Sequence, residues 1–371
     1  MEENKKKRWY QRIPLWIRIV ICVLLAVVIA LALYVNSLLD SVTTDFETTN
    51  TARGEEIFEG DSDLTSEDSA IEASEIAFEE TPEPTEKVVG VVNLLLVGIE
   101  ALFEDDDSQG RTDSVMIVTL NFDQGTMGVT SLMRDMYVPI PGYLDNRLNA
   151  SFGMGGIPLL RQTVEQDFGV MLDGVVTVNF SGFQDIIDSM GGIEITLTED
   201  EAYYLNHTNY ISKRKNRNVV PGTQILNGNQ ALGYMRIRYV ETADGTRDDF
   251  GRTQRQRTLM TAVFDRFKNQ SATDLIQTAT TMMKYIKTDL SKTEILQYVS
   301  DFASIRVDEL QTNRLPVNGS FSDETVERNG VKMRVMVPNL LTNARALHDF
   351  IYGADPEELR QNYPFGHLDA E

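Results

Sequence analysis

Six arginines in this sequence stand where a chain building an apolar core would not put a charge. Arg134 directly follows the strand-like run 129–133, and Arg111, with Asp113, directly precedes the apolar run 114–117. Arg236 and Arg238 close an amphipathic stretch that ends at Tyr234. A helical pattern over 253–267 has an apolar stripe through Leu259, Met260, Val263, Phe264 and Phe267. Stepping back along it by three and four residues brings Gln256, Arg255 and Arg252 onto that stripe. One such arginine would be a structural ion pair to Asp135, Asp248 or Asp249. Six of them point to a polyvalent anion, because buried ion pairs add little net stability. Arginine suits phosphate: its planar fork makes two parallel bonds to phosphate oxygens and keeps its charge. A helix N-terminus adds oriented N–H groups and a positive dipole end. Pyrophosphate fits this set of groups. A hard cation such as Mg²⁺ goes with it, held by one or two carboxylates and phosphate oxygens. Asp113 and Glu100 are the carboxylates placed for that role. The run Glu104 to Asp107 reads as a solvated loop.

The elements that must position these groups read as an α/β domain. Residues 91–97, 115–120, 127–132, 175–180 and 193–197 are strand-like. Helical patterns cover 158–168, 183–190, 226–234, 253–267, 274–286, 292–304 and 344–352, with extended pieces at 311–317 and 331–337. Strands interleaved with helices predict a three-layer α-β-α sandwich around a central mixed sheet. Such sheets bind ligands at the carboxyl ends of their strands.

The rest of the chain sets the context. Lys5, Lys6, Lys7, Arg8, Arg12 and Arg18 flank an apolar run over 19–35, bracketed by Trp16 and Tyr34. Residues 16–39 are long enough to span ~30 Å of hydrocarbon. The basic tail 1–15 should stay in the cytoplasm and everything after Asp40 should lie outside. The rival is a cleaved signal peptide ending near 30–32, but the apolar run exceeds the about 7–15 residues of a signal core. Residues 40–87 carry sixteen Asp and Glu against Arg53 and Lys87, so −14 of the chain's net −22 lies there. That composition predicts an extended, solvated acidic stalk. The domain proper is expected over 88–353, with a charged tail at 354–371. Overall acidity argues against nucleic-acid binding. The single Cys22 excludes an intrachain disulfide, and the three scattered histidines have no zinc-ligand spacing. There is no nucleophile elbow, P-loop or dinucleotide fingerprint. The basic loop 213–217 reads as an ordinary solvated loop.

Eight segments in one order carry a family likeness. They are NLLLVGIE at 93–100, GRTDS at 110–114, SLMRD at 131–135, RLNA at 147–150, NFSGF at 179–183, MGGI at 190–193, LNGNQALGYMRIR at 226–238 and DFGRTQRQ at 249–256. Together they resemble the LytR-CpsA-Psr family, closely over about 88–268 and more loosely to about 353. The resemblance implies a membrane-anchored extracellular phosphotransferase of a Gram-positive-type cell. Such an enzyme moves a glycopolymer (teichoic acid, capsule or similar) from a polyprenyl-pyrophosphate carrier to peptidoglycan as a phosphodiester. It also implies an apolar channel for the lipid between sheet and helices. By position, Arg111, Arg134, Arg147, Arg236, Arg238, Arg252 and Gln256 would hold the pyrophosphate, with Arg134, Arg236, Arg238 and Asp249 serving catalysis. Glu100 and Asp113 would hold Mg²⁺ or Mn²⁺, and Asp249 or Glu100 would take the proton of the acceptor hydroxyl. Two positions depart from the family pattern: Glu100 stands where Asp is usual and Arg147 where Lys is usual. The alternative functions are a lipid-pyrophosphate-binding regulator, or a lipid pyrophosphatase without glycan transfer.

Overall fold

The computed structural model describes residues 44–46, 58–65, 67–79, 87–100, 111–268, 270–305 and 307–353, without the side chains of Glu100, Arg111, Ala272, Thr273 and Ile276. The expected anchor at 16–39, the loop 104–107 and the tail 354–371 lie outside these residues. Among the described residues no helix is long and apolar enough to cross a membrane.

The strands are β1 (Ile71–Glu72), β2 (Val91–Glu100), β3 (Arg111–Asn121), β4 (Thr126–Leu132), β5 (Tyr137–Val138), β6 (Asn146–Arg147), β7 (Gly174–Asn179), β8 (Ile193–Leu197), β9 (Gly222–Leu226), β10 (Ile286–Thr288), β11 (Leu310–Leu315), β12 (Phe321–Arg328) and β13 (Val331–Pro338). The helices are α1 (Leu148–Phe168), α2 (Phe180–Ser189), α3 (Glu199–His207), α4 (Gly228–Met235), α5 (Asp248–Phe267), α6 (Ala272–Met282), α7 (Lys292–Ser304) and α8 (Leu340–Tyr352). The central sheet has the order β10-β7-β2-β3-β4-β11. It is mixed: β7 runs parallel to β2 and β11 parallel to β4, while β3 is antiparallel to both its neighbours.

Alternation along the strands divides the core in two. Leu95, Val97, Val115, Ile117 and Leu132 face α1 and α8. Met116 and Val129 face the other way, toward Met260 and Phe264 of α5. The fold is therefore mixed α/β with helices on both faces of one mixed sheet, as the interleaved pattern predicts. Helix α1 begins ten residues earlier than expected. It breaks at Gly155 and Gly156, where Gly156 adopts φ 65°, and Pro158 opens its second segment. The glycine pair hid the first turns, since glycine is a weak helix former. Ile286, expected as helical, pairs instead with Val178 of β7.

The spacer reading of 40–87 fails for residues 58–79. Ile71 and Glu72 pair in parallel with Val326 and Glu327 of β12. Phe58, Ile71, Ile76 and Phe78 pack on Tyr137, Val326, Met333 and Val335. The acidic groups find cations: Asp61 lies 2.8 Å from Arg147 and Asp63 2.7 Å from Arg334. Four scattered apolar residues show no period, yet they cover the β12–β13 sheet and bring their carboxylates with them. Phe46 is also buried in the main core.

Asp167 is buried near the end of α1, and its Oδ2 has no hydrogen-bond partner. Burial, and secondarily the charge of Asp145, push its pKa well above the carboxylate range. The folded chain thus keeps a proton that the unfolded chain releases above about pH 4. The stability this residue leaves intact at low pH is lost as pH rises through its folded pKa. Asp167→Asn should therefore raise stability at pH 8 by on the order of 1–3 kcal/mol and have little effect near pH 4, as read by thermal unfolding at the two pH values.

Candidate functional site

Helix α5 is the spine of the site. It opens with Asp248 and Asp249, whose charges suit the positive end of the helix dipole. On its next turns Arg252, Gln256 and Met260 succeed one another on the face toward the sheet. Three guanidiniums converge on Asp249. Arg134 Nε lies 3.2 Å from its Oδ2, Arg252 Nη2 3.2 Å from its Oδ2, and Arg238 Nε 3.3 Å from its Oδ1. Arg134 and Arg252 also reach Asp113 Oδ1, at 3.4 and 3.9 Å.

Asp113 reaches the cluster through a bulge. Gly98 pairs with Ser114 but Ile99 pairs with Thr112, so Asp113 is the extra residue on β3. A bulge of this kind re-aims a side chain at a sheet edge or a functional site. Gln256 secures it, accepting from Ser114 Oγ at 3.3 Å and donating from Nε2 to the Asp113 carbonyl at 3.4 Å. Gln256 therefore lies on the floor of the site, holding the strand that carries Asp113.

Burial works against an ionised Asp249, but a hydrogen bond from Asp135 and the charges of Arg252, Arg134 and Arg238 hold its pKa well below the usual range. Its neighbour Asp135 moves the opposite way, raised by burial and by that same hydrogen bond to Asp249. The two adjacent carboxyls titrate as a pair, with Asp249 the more acidic and Asp135 raised to about 6. Arg252 is 4% exposed, and its Nε is buried with no hydrogen-bond partner. Its pKa falls to about 10, because burial and the charges of Arg134 and Arg238 outweigh Asp249. Arg252 thus keeps a buried, charged donor unsatisfied inside the cluster, which an anion would complete.

The remaining predicted residues surround this centre. Arg147 ends β6 beside α1. Its Nη2 donates to Asp61 Oδ2 at 2.8 Å and to the Arg334 carbonyl at 2.6 Å, and its Nε lies 3.9 Å from Asp135. It thus sits on the margin of the cluster, held by the acidic segment ahead of the domain. Arg236 caps the C-terminus of α4 and lies over the Phe180 ring, 4.7 Å from its centroid. The side chains of Arg111 and Glu100 are outside the description, though their backbones pair across β2 and β3. No three carboxylate, His or Cys side chains gather among the described residues. A hard cation would rely on Asp113, Glu100 and phosphate oxygens, an all-oxygen donor set that suits Mg²⁺.

Arg255 departs from its sequence-based placement. It is fully buried and pairs with Glu201 at 2.7 Å. Its Nη1 and Nη2 donate to the carbonyls of Ile237 and Val240, on either side of Arg238. A side chain on Gly251 would collide with the Thr246 carbonyl and Arg255 Nη1, so glycine is what lets this loop close on the helix. Glu201 also accepts from Thr198 N in the capping box of α3. Arg255 is thus the clamp that positions Arg238 and not an anion ligand. Asp135, expected as an ion-pair partner, does pair with Arg134 at 3.5 Å. Asp61 was missed as a member of the site, because no local signal ties it to Arg147.

One cavity adjoins the cluster, and a second lies further along α5. A polar one of 770 Å³ is lined by Arg134, Asp135, Arg238 and Asp249, with Ser69 and Glu324 opposite. An apolar groove of 320 Å³ runs between Leu94, Val118 and Met127 of the sheet and Met260, Phe264 and Phe302 of the helices. Arg252 and Gln256 precede Met260 on the same face of α5, so the charged site and the apolar groove follow one another along one helix face.

The LytR_cpsA_psr family profile matches residues 34–340. The chain belongs to the LytR_cpsA_psr family. Among its relatives, the regulatory protein MsrR of Staphylococcus aureus is 28% identical over 265 residues, 71% of this chain and 75% of that protein. The Bacillus cereus polyisoprenyl-teichoic acid–peptidoglycan teichoic acid transferase TagU is 30% identical over 213 residues, 57% of this chain and 64% of that one. Among solved structures, B. subtilis TagV is 26% identical with a TM-score of 0.57, covering 71% of this chain and 98% of TagV. TagT bound to LI-WTA is 26% identical with a TM-score of 0.55, covering 74% of this chain and 99% of TagT.

The clamp of this family member can be separated from the fold's need for it. Arg255→Met alone should destabilise the protein by about 3–5 kcal/mol, because Glu201 is left buried and unpaired. The double variant Arg255→Met/Glu201→Leu should recover most of that loss in thermal unfolding. With the 237–240 loop released, it should still bind a prenyl pyrophosphate at least about 10-fold more weakly than wild type, a difference of ~1.4 kcal/mol. Wild-type affinity in the double variant would mean that the clamp does not position the site.

Proposed function

We propose that this chain transfers a glycopolymer from a polyprenyl-pyrophosphate carrier to a peptidoglycan hydroxyl, leaving polyprenyl phosphate. The observation that carries this reading is the sequence of environments along one face of α5. An arginine cluster at Asp249 is followed by an apolar groove, which matches the shape of an amphiphile with an anionic head. The TagU relative is named as a transferase of polyisoprenyl-linked teichoic acid, and the reading extends that substrate class to this chain. In it, residues 16–39 anchor the chain in the membrane with the domain outside.

Arg134, Arg238 and Arg252, together with Arg111, Arg147 and Arg236, grip the pyrophosphate and neutralise charge as the bridging P–O bond lengthens. The acceptor hydroxyl attacks the glycan-bearing phosphorus in line, a new P–O bond forms, and the bridging oxygen departs with the lipid phosphate. Asp113 and Glu100 would hold a divalent cation, Mg²⁺ or Mn²⁺. Bound there, it supplies further positive charge for the phosphate oxygens. Asp249 is held too strongly ionised to be an effective base. Its task is to orient three guanidiniums, and the adjacent Asp135 is the better acceptor for the hydroxyl proton.

The test is turnover of the full chain in detergent with a polyprenyl-pyrophosphate oligosaccharide and a peptidoglycan fragment. Product carrying both glycan and acceptor should form with Mg²⁺ and disappear with chelator. Arg238→Ala should lower kcat roughly 10²–10³-fold, the usual effect of removing one group that stabilises transition-state charge. Phosphate release without an acceptor would mark a pyrophosphatase, and tight lipid binding with no turnover would mark a regulator.

A further inference from the structure

Another pair of arginines lies outside the Asp249 cluster. Arg257 is on α5, roughly 100° around the helix from Gln256. Arg314 is on β11, opposite Ser131 of β4 in parallel register. Alternation puts Ser131 and Arg314 on the same sheet face as Val129 and Leu310, the face that α5 covers. Arg314 stacks over the Phe250 ring, 4.4 Å from its centroid, and its Nη2 donates to Asn318 Oδ1 at 2.6 Å. Arg257 Nη2 donates to Gln254 Oε1.

Neither guanidinium has a carboxylate within ion-pair distance among the described residues. Arg257 Nη1, Arg314 Nη1 and Ser131 Oγ are all buried with no hydrogen-bond partner. Arg314 sits beside Ser131 and within electrostatic range of Arg257, and orphaned buried donors are costly to keep, more so when two of them carry charge. Burial lowers the pKa of both arginines, and Arg314 adds to the effect on Arg257, which falls to about 10 despite the pull of Asp244. A single oxyanion would accept from all three groups. The position favours one as well: Phe250 follows Asp249 directly, so this pair flanks the pyrophosphate cluster on the neighbouring face of the same helix.

We propose that Arg257, Arg314 and Ser131 form a second anion site that binds a phosphate group. In the transfer reaction it holds a phosphodiester of the donor polymer while the pyrophosphate occupies the Asp249 cluster. The identity of that occupant rests on the transfer reading; the existence of the site does not.

Two measurements on the full chain test it. In the first, inorganic phosphate is titrated into protein whose main site is saturated with a short prenyl pyrophosphate. Wild type should bind, and Arg314→Gln and Arg257→Gln should each weaken binding at least about 10-fold, as for loss of a charge-assisted hydrogen bond. Both variants should also unfold at a higher temperature than wild type in phosphate-free buffer, since each removes an uncompensated charge. Unchanged phosphate affinity, or a lower unfolding temperature in that buffer, overturns the site and leaves the pair a packing feature. In the second, transfer is compared for a donor with a phosphodiester in its glycan and a donor with a neutral glycan. Arg314→Gln should raise KM for the first relative to the second by about 10-fold. Equal effects on both donors would assign the site to free phosphate and overturn the polymer assignment. If no protein shows transfer at all, the phosphate titration still decides whether the site exists, so the two readings fail separately.

Discussion

One partly buried carboxylate organises the chemistry of this protein. Asp249 holds Arg134, Arg238 and Arg252, which arrive from a strand end, a loop and its own helix. Without it, three like charges would repel one another in a partly desolvated space. With it, they are aligned, and the lowered pKa of Arg252 reflects its burial and the charges of Arg134 and Arg238. A site that is ordered yet keeps a buried donor unsatisfied is prepared for an anion before the anion arrives, and this preorganisation is what lets charge be stabilised without reorganisation during reaction.

The surrounding fold serves that arrangement. The bulge at Asp113 brings a carboxylate off β3, and Gln256 holds the bulge to α5. Arg255 fixes the loop that carries Arg238, and Glu201 supports Arg255 while closing the cap of α3. Further along α5 the polar face gives way to Met260 and Phe264, which line the groove. The acidic segment at 58–79 adds a wall: Ser69, Ala70 and Ile71 face Arg134 and Asp249 across the polar cavity, and Asp61 engages Arg147. A stretch that ties the domain toward its expected membrane anchor is thus part of the site's boundary.

Much of this was legible in the sequence where local pattern carries the information. The four inner strands of the central sheet, β7, β2, β3 and β4, show as apolar runs, and the helical phase of Arg252 and Gln256 pointed both at the sheet. The same phase argument misplaced Arg255. A hundred degrees per residue puts it at the edge of the stripe, and whether an edge residue turns toward the sheet or toward Glu201 depends on a partner 54 positions away. The segment 58–79 was misread because its composition is that of a solvated chain. Its four packing residues are irregularly spaced, and its carboxylates Asp61 and Asp63 are satisfied by Arg147 and Arg334, which only the fold brings near. β12 was missed for a related reason: Phe321–Arg328 is mostly polar and becomes a strand by pairing with β13 along its whole length. Long-range pairing, and not propensity, decides such strands.

The Asp249 cluster holds a buried guanidinium with an unsatisfied donor that a pyrophosphate would complete. The most direct measurement is calorimetric titration of the purified full chain with two soluble short-chain prenyl ligands, one a pyrophosphate and one a monophosphate, at fixed ionic strength. The pyrophosphate should bind at least about 10-fold more tightly, ~1.4 kcal/mol, and Arg252→Gln should remove most of that difference. Equal affinity for the two ligands, or an unchanged preference in Arg252→Gln, would contradict this role for the cluster.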